Sequence, residues 1–156
     1  MNATKNLLLA VSMVCASEAM AQSDERQFEV QFTKNAENVL TAMVYARENF
    51  ATPFSYNHVH RYAKDCQAAD KSTRVTPGEL TTGNSLRMTF DDAPDSVTLE
   101  WQTSELLAME TVSSGDCTVD LPKVAKGGGG TTVALAMGQN FVGQSGEYGI
   151  RVKRVK

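Results

Sequence analysis

The last stretch of this chain alternates apolar and polar residues with a period of two. Tyr148, Ile150 and Val152 fall on one face of an extended chain, whereas charged residues and a glycine fall on the other. This is the pattern of a β-strand with one face buried. Such a strand is not stable alone, because a second layer must cover its apolar face. The pattern therefore predicts a layered β-structure.

The same alternation recurs upstream and predicts several more strands. The first has Phe28, Val30 and Phe32 on one face. The apolar positions of the others are Leu86, Met88 and Phe90; Val97, Leu99 and Trp101; Leu107 and Met109; Cys117, Val119 and Leu121; and Val133, Leu135 and Met137. Residues 91–95 are typical of a turn and predict a hairpin of their two flanking strands. Together these segments predict an all-β fold, an antiparallel β-sandwich of six to eight strands.

Three other segments give weaker or different signals. In residues 36–50 two alternatives stay open: Val39, Met43 and Phe50 recur at the spacing of a short helix, whereas Val39, Met43 and Tyr45 also alternate as in a strand. Residues 51–70 are mostly polar and predict a long surface connection. The glycine run at 127–130 predicts a flexible hairpin, because a phosphate-binding loop would need a different ending and a following helix.

The N-terminus has the three parts of a secretory signal peptide. Lys5 precedes an apolar run at 7–15, and the small residues Ala19 and Ala21 come just before Gln22. We therefore expect residues 1–21 to be cleaved and residues 22–156 to form a single domain in the bacterial periplasm or outside the cell. No later segment approaches the roughly 20 apolar residues of a membrane span, and the formal net charge of −3 argues against nucleic acid as a partner.

Two cysteines, Cys66 and Cys117, remain after signal cleavage. An even count in an oxidising compartment predicts one disulfide. A close Cys-x-x-Cys pair, which is typical of redox-active sites, is absent from the sequence, so we interpret the bridge as structural. The alternation around Cys117 predicts that this bridge lies against the core.

The chain has two histidines, His58 and His60, separated by one residue. On an extended segment both point to one side, and together with Asp65 they suggest a loose zinc or copper site. The His-Val-His triplet resembles the copper-binding stretch of copper/zinc superoxide dismutases, but that family needs further histidines downstream. We therefore interpret both as exposed loop residues and predict no tightly bound metal and no cofactor. A periplasmic metal-binding protein using this pair is the second alternative for function.

The sequence does not favour an enzyme. It contains no Gly-x-Ser-x-Gly nucleophile elbow, and the two cysteines expected in the mature chain are assigned to the disulfide. The carboxylates at 91, 92 and 95 fall in a predicted turn, where solvation explains them. We therefore predict a non-enzymatic protein.

Residues 145–148, Ser-Gly-Glu-Tyr, resemble the Ser-Gly-x-Tyr loop of bacterial periplasmic inhibitors of invertebrate-type and goose-type lysozymes. Residues 30–34 are similar to the first strand of these small β-sandwich proteins, which favours the strand alternative for residues 39–46. The resemblance implies that Ser145, Gly146 and Tyr148 bind a partner, with the two hydroxyl groups donating to the catalytic carboxylates of a lysozyme.

The alternative is a structural or accessory subunit of a cell-envelope assembly, such as a pilus or a secretion apparatus. A sandwich with an exposed edge strand binds partners by adding a strand. The basic C-terminal strand is a candidate edge, because lysine and arginine side chains limit unwanted pairing. On either hypothesis the partner is another protein, a lysozyme or an envelope component.

Overall fold

The computed structural model describes residues 25–47, 50–69, 72–90, 93 and 95–156. The predicted signal peptide, residues 1–21, lies outside these ranges, as do residues 91, 92 and 94 of the predicted turn. The described residues form eight β-strands. In the order of the chain these are β1 (Arg26–Lys34), β2 (Glu37–Ala46), β3 (Thr52–Ala69), β4 (Ser72–Phe90), β5 (Ser96–Ser114), β6 (Cys117–Ala134), β7 (Asn140–Ser145) and β8 (Tyr148–Arg154).

The strands make two antiparallel sheets. The first, here called the short sheet, has the order β2-β1-β8-β7, and the second, the long sheet, has the order β3-β4-β5-β6. This architecture confirms the predicted all-β antiparallel sandwich. Strand β8 lies between β1 and β7, so the prediction that the C-terminal strand forms an edge is wrong. No helix occurs in the described residues, and hence none there is long and apolar enough to cross a membrane.

The core lies where the two sheets pack face to face. The rings of Phe28 in β1 and Phe90 in β4 are 5.9 Å apart between centroids, and those of Phe32 and Phe54 are 6.2 Å apart. The predicted inward face of β8 is confirmed, because its apolar side chains are at most 4% exposed. The other fully buried large side chains are Val30, Leu86, Met88, Val97 and Leu99. Burial of each such side chain contributes about 1.5–3 kcal/mol.

Residues 37–46 are strand β2, so the helical alternative for residues 36–50 is wrong. The turn before β2 explains the outcome. Asn35 and Ala36 both have positive φ, at 51° and 67°, which is the backbone of the two-residue turns that join antiparallel strands. Asn35 is therefore a hairpin turn residue, and pairing with β1 decides the conformation of the ambiguous segment.

Two other predicted segments are also strands. Residues 52–69 form β3, and the predicted surface connection there is wrong. The glycine run is not a hairpin either, because residues 127–130 lie inside β6 and pair with residues 100–103 of β5. A Cβ on Gly128 would lie 2.5 Å from the carbonyl oxygen of Trp101. The glycine run therefore lets β6 approach β5 closely within the long sheet.

The long sheet extends beyond the sandwich as two arms. Strands β4 and β5 pair only between residues 83–90 and 97–104. Past that point β3 and β4 continue as the first arm (58–69 and 72–82), and β5 and β6 continue as the second arm (105–126). The disulfide Cys66–Cys117 joins them, and the Ala63 N–H donates to Asp120 Oδ2 at 2.9 Å.

The disulfide prediction is thus confirmed, but its predicted position against the core is wrong. Cys66 and Cys117 are only half-buried, and none of the buried apolar side chains of the described residues belongs to an arm. The arms lack a core of their own. Their mutual position therefore depends on contacts between β3 and β6, which include the disulfide and the Ala63–Asp120 hydrogen bond.

Removing the disulfide should free the arms while the sandwich stays folded. We expect Cys66→Ser/Cys117→Ser to lose amide protection in both arms, with a loss of at most about 4 kcal/mol of unfolding free energy for a cysteine separation of 51 residues. Hydrogen exchange followed by NMR measures this. Equal loss of protection in β1 and β8 would contradict an independent opening of the arms.

Candidate binding site between the arms and the β7–β8 turn

A cleft of about 350 Å³ opens where the two arms part from each other. One wall is β3 of the first arm, and the other is the start of the second arm. The ends of β1 and β8 close it from the side of the sandwich. The side chains that give the cleft its chemistry are Lys34, Tyr56, His58, His60, Glu105 and Tyr148.

The β7–β8 turn positions Tyr148. Gly146 has a φ of 61°, which a two-residue hairpin turn requires and glycine adopts without strain. Tyr148 then begins β8 on its inward face and is only 4% exposed. Its ring packs over Gly127 of β6, where an added Cβ would lie 2.8 Å from Tyr148 Cδ2. The absence of a side chain at residue 127 therefore makes room for the tyrosine.

A carboxylate joins three elements at the floor of the cleft. Glu105 Oε2 accepts a hydrogen bond from Lys34 Nζ at 2.6 Å and another from the Tyr148 hydroxyl at 3.0 Å. The Lys34 ammonium also lies 5.9 Å from the centroid of the Tyr148 ring. These contacts link β1, β5 and β8, and both bonds are charge-assisted, which is the stronger kind.

The contacts shift the pKa of each member of this network. The hydrogen bond from Lys34 lowers the pKa of Glu105, against desolvation, and the Tyr148 hydroxyl lowers it further. The bond to Glu105 raises the pKa of Lys34. Burial, followed by the bond to Glu105, raises the pKa of Tyr148. At neutral pH the carboxylate is therefore ionised and the tyrosine keeps the proton that it donates.

Both histidines line the cleft from β3, so the prediction that they lie in a loop is wrong. His60 Nε2 is 2.8 Å from the hydroxyl of Thr82, which is buried. The ring of His58 meets Tyr56 edge to face, with centroids 5.1 Å apart. Residues two apart on a strand face the same side, as the sequence predicts for this pair.

Asp65 does not join the histidines. A register shift in β3 separates Ala63 from Asp65, and Asp65 Oδ1 accepts the N–H of Cys66. Within the described ranges no group of three histidine, cysteine or acidic residues is placed to hold a metal ion. The expectation of no tightly bound metal stays a prediction.

The predicted partner-binding residues separate between the turn and the cleft. Ser145 ends β7 and is half-buried, Gly146 and Glu147 form the exposed turn, and Tyr148 faces the cleft. The structure thus brings Tyr148 together with His58 and His60, which the sequence treats as unrelated candidates. The role of these residues in binding a partner stays a prediction.

Sequence reasoning missed Lys34 and Glu105, although a signal for both exists. Lys34 continues the inward series of β1 two residues after Phe32. Glu105 likewise continues the inward series of β5, two residues after the buried Thr103. A charge at an inward position is unfavourable unless it is paired. Two such positions of opposite sign predict an ion pair at the end of the core.

In comparisons with known proteins, no family model, curated protein or solved structure matches this chain.

The Glu105 network should stabilise the fold only while the carboxylate is ionised. Because the fold lowers the pKa of Glu105, its contribution is present above the unfolded value of about 4.3 and is lost as pH falls through the lower folded pKa. We expect the stability difference between the native protein and Glu105→Gln to shrink across that acid range in urea unfolding. Glu79→Gln, which breaks an exposed pair with Arg61, should change stability little. A constant difference for Glu105→Gln would contradict the network.

Proposed function

We propose that the protein is an exported, non-enzymatic protein-binding module of the cell envelope that takes up an extended segment of a partner at the edge of β2. The observation that carries the proposal is the edge formed by residues 40–46 of this strand, which contain no charge and which no other described strand covers. Strand addition of this kind uses main-chain hydrogen bonds for affinity and side-chain contacts for specificity.

The hydrogen bonds of β1 define which groups of β2 face outward. The Gln27 N–H donates to Lys156 O at 3.1 Å, and Gln27 O accepts from the N–H of Val155. The backbone groups of Gln27 thus point to the side of β8. Successive residues of a strand point to opposite sides, so alternate β1 residues, beginning with Phe28, bond to β2.

The register then gives the open groups of β2. Phe28 pairs with Val44, and the pairing continues regularly as far as Leu40. Because Phe28 bonds to β2, its partner Val44 directs its backbone groups to β1, and so does every second residue of β2 from Val44. Thr41, Met43 and Tyr45 direct theirs to the open edge of the short sheet. The side chains of Met43 and Tyr45 are 46% and 52% exposed, so apolar surface accompanies the open backbone groups.

The other edge strands carry features that limit pairing. Strand β3 contains Pro53 and a register shift, and β6 contains Pro122 followed by Lys123. Strand β7 has only 6 residues. Residues 40–46 of β2 contain no charge, proline or glycine. Proline, charge, bulges and short length are the usual protections of an edge, and residues 40–46 of β2 lack the first three.

Proline substitution tests the proposal with a matched control. Met43→Pro removes one outward N–H without removing a bond to β1, which an edge strand tolerates. Val142→Pro does the same at the other edge of the short sheet. The Arg154 N–H donates to Gln139 O, so odd-numbered residues of β7 direct their backbone groups to β8. The even-numbered residues, including Val142, direct theirs outward. Val142 is a comparable control site for Met43, since both side chains are exposed, by 62% and 46%.

We expect envelope proteins captured by the native protein to be retained by Val142→Pro and lost from Met43→Pro. Binding should also slow hydrogen exchange at the amides of Thr41, Met43 and Tyr45, which no described strand covers. Near-ultraviolet circular dichroism checks that both variants stay folded. Equal capture by the two proline variants, without added protection in β2, would reject strand addition.

Lysozyme inhibition is a second candidate, favoured by the tight β7–β8 turn with its exposed tip. If the Ser145 hydroxyl donates to a catalytic carboxylate, Ser145→Ala should weaken inhibition by about 1.5–3 kcal/mol, roughly 10- to 150-fold. Ser55→Ala on β3 is the control. The Tyr148 hydroxyl already donates to Glu105, so Tyr148→Phe tests whether that bond orients the turn.

The assay is lysis of bacterial cell walls by invertebrate-type, goose-type and chicken-type lysozymes, with and without the mature protein. Inhibition that is reduced by Ser145→Ala and not by Ser55→Ala would support this candidate. If none of the three enzymes is inhibited, the candidate is rejected and strand addition remains.

A further inference from the structure

The open edge of β2 leads to the mouth of the cleft. Leu40 pairs with Phe32 and Asn38 with Thr33, which leaves Val39 as an extra residue in β2. Such bulges redirect a side chain. Val39 is 54% exposed and lines the cleft. A strand added along residues 41–45 would therefore bring its next residues to this opening.

The cleft has the size and walls for an aromatic ring. Its volume is about 350 Å³, whereas a cavity of about 150 Å³ is enough for benzene. Tyr56 and His58 form an edge-to-face corner, and Val39 and Leu106 add aliphatic surface. A ring with one polar substituent can therefore enter and contact both aromatic and aliphatic groups.

The floor of the cleft offers a hydrogen-bond acceptor. Lys34 and Tyr148 both donate to Glu105 Oε2, and among the described residues none donates to Oε1. An ionised carboxylate accepts at both oxygens. A ring carrying an O–H donor would gain a charge-assisted bond at Oε1 that a ring without a donor cannot make.

We propose that this cleft is a subsite for the side chain of a tyrosine in the captured segment, with its ring against Tyr56 and His58 and its hydroxyl donating to Glu105. The inference rests on the proposed strand addition for the origin of the tyrosine. The chemistry of the cleft is tested without any partner, so a failure of the cleft can be told apart from a failure of strand addition.

Phenol and anisole provide a matched pair of probes, because they share the ring and differ in the hydroxyl donor. Binding is followed by NMR of the imidazole signals, which come from His58 and His60, the two histidines of the chain. We expect saturable shifts of both imidazoles with a Kd for phenol of about 1 mM, and binding about tenfold weaker for anisole. The amide of N-acetyltyrosine should bind at least as tightly as phenol.

Three variants locate the site. His58→Ala should weaken both probes, because it removes an exposed wall of the cleft. Glu105→Gln should reduce the preference for phenol over anisole. Tyr45→Ala, on the outer face of β2, should leave phenol binding unchanged while weakening capture of a partner.

Each outcome bears on the proposal. Equal affinity for phenol and anisole, or no saturable shift up to about 10 mM, would overturn it even if Met43→Pro supports strand addition. Binding of free phenol without binding of the N-acetyltyrosine amide would also overturn it, since the occupant would then be a small molecule. Phenol binding with equal capture by the two proline variants would reject strand addition, and with it the captured segment as the source of the tyrosine.

Discussion

The packing of β1 and β8 on β4 and β5 holds the rest of the molecule in place. Their inward side chains form one continuous apolar cluster that includes Phe28, Leu99 and Val152. The arms contribute no fully buried apolar side chain from the described residues, so they depend on the sandwich at their base and on the disulfide near their far ends. The cleft lies at the boundary between the sandwich and these arms. Its floor is therefore attached to the packed core, whereas its walls belong in part to the arms, which have no core of their own.

The sequence pattern predicts the core strands well because each has one buried face. It fails for β3 because both faces of this edge strand are largely exposed, and apolar alternation then disappears. It divides β5 in two because the polar residues Thr103 and Glu105 interrupt the apolar alternation between Trp101 and Leu107. A strand of 19 residues is also far longer than the usual length of about 5–6, so a single continuous strand is not the expected interpretation.

The site is less predictable than the fold because its members come from distant parts of the chain. Lys34 and Glu105 are 71 residues apart, and only the face-to-face packing of the two sheets brings them together. A second contact fixes the same end of the molecule: the Asn35 N–H donates to Glu147 O at 2.7 Å and ties the β1–β2 turn to the β7–β8 turn. Ala36 lies in the left-handed region, at a cost of roughly 1–2 kcal/mol for a residue with a side chain, so this contact accompanies local backbone strain.

In the proposed function, the open edge and the cleft would have complementary roles in recognition. Main-chain hydrogen bonds along Thr41, Met43 and Tyr45 would accept almost any extended segment, which by itself makes an unprotected edge prone to aggregation. Selectivity must therefore come from side-chain contacts. The bulge at Val39 ends the regular pairing of β2 with β1 beside the cleft. A segment that pairs with β2 and also places a fitting side chain against Glu105 would gain a charge-assisted bond that other segments lack. On the proposed function, the charged floor of the cleft would restrict which partners the open edge can hold.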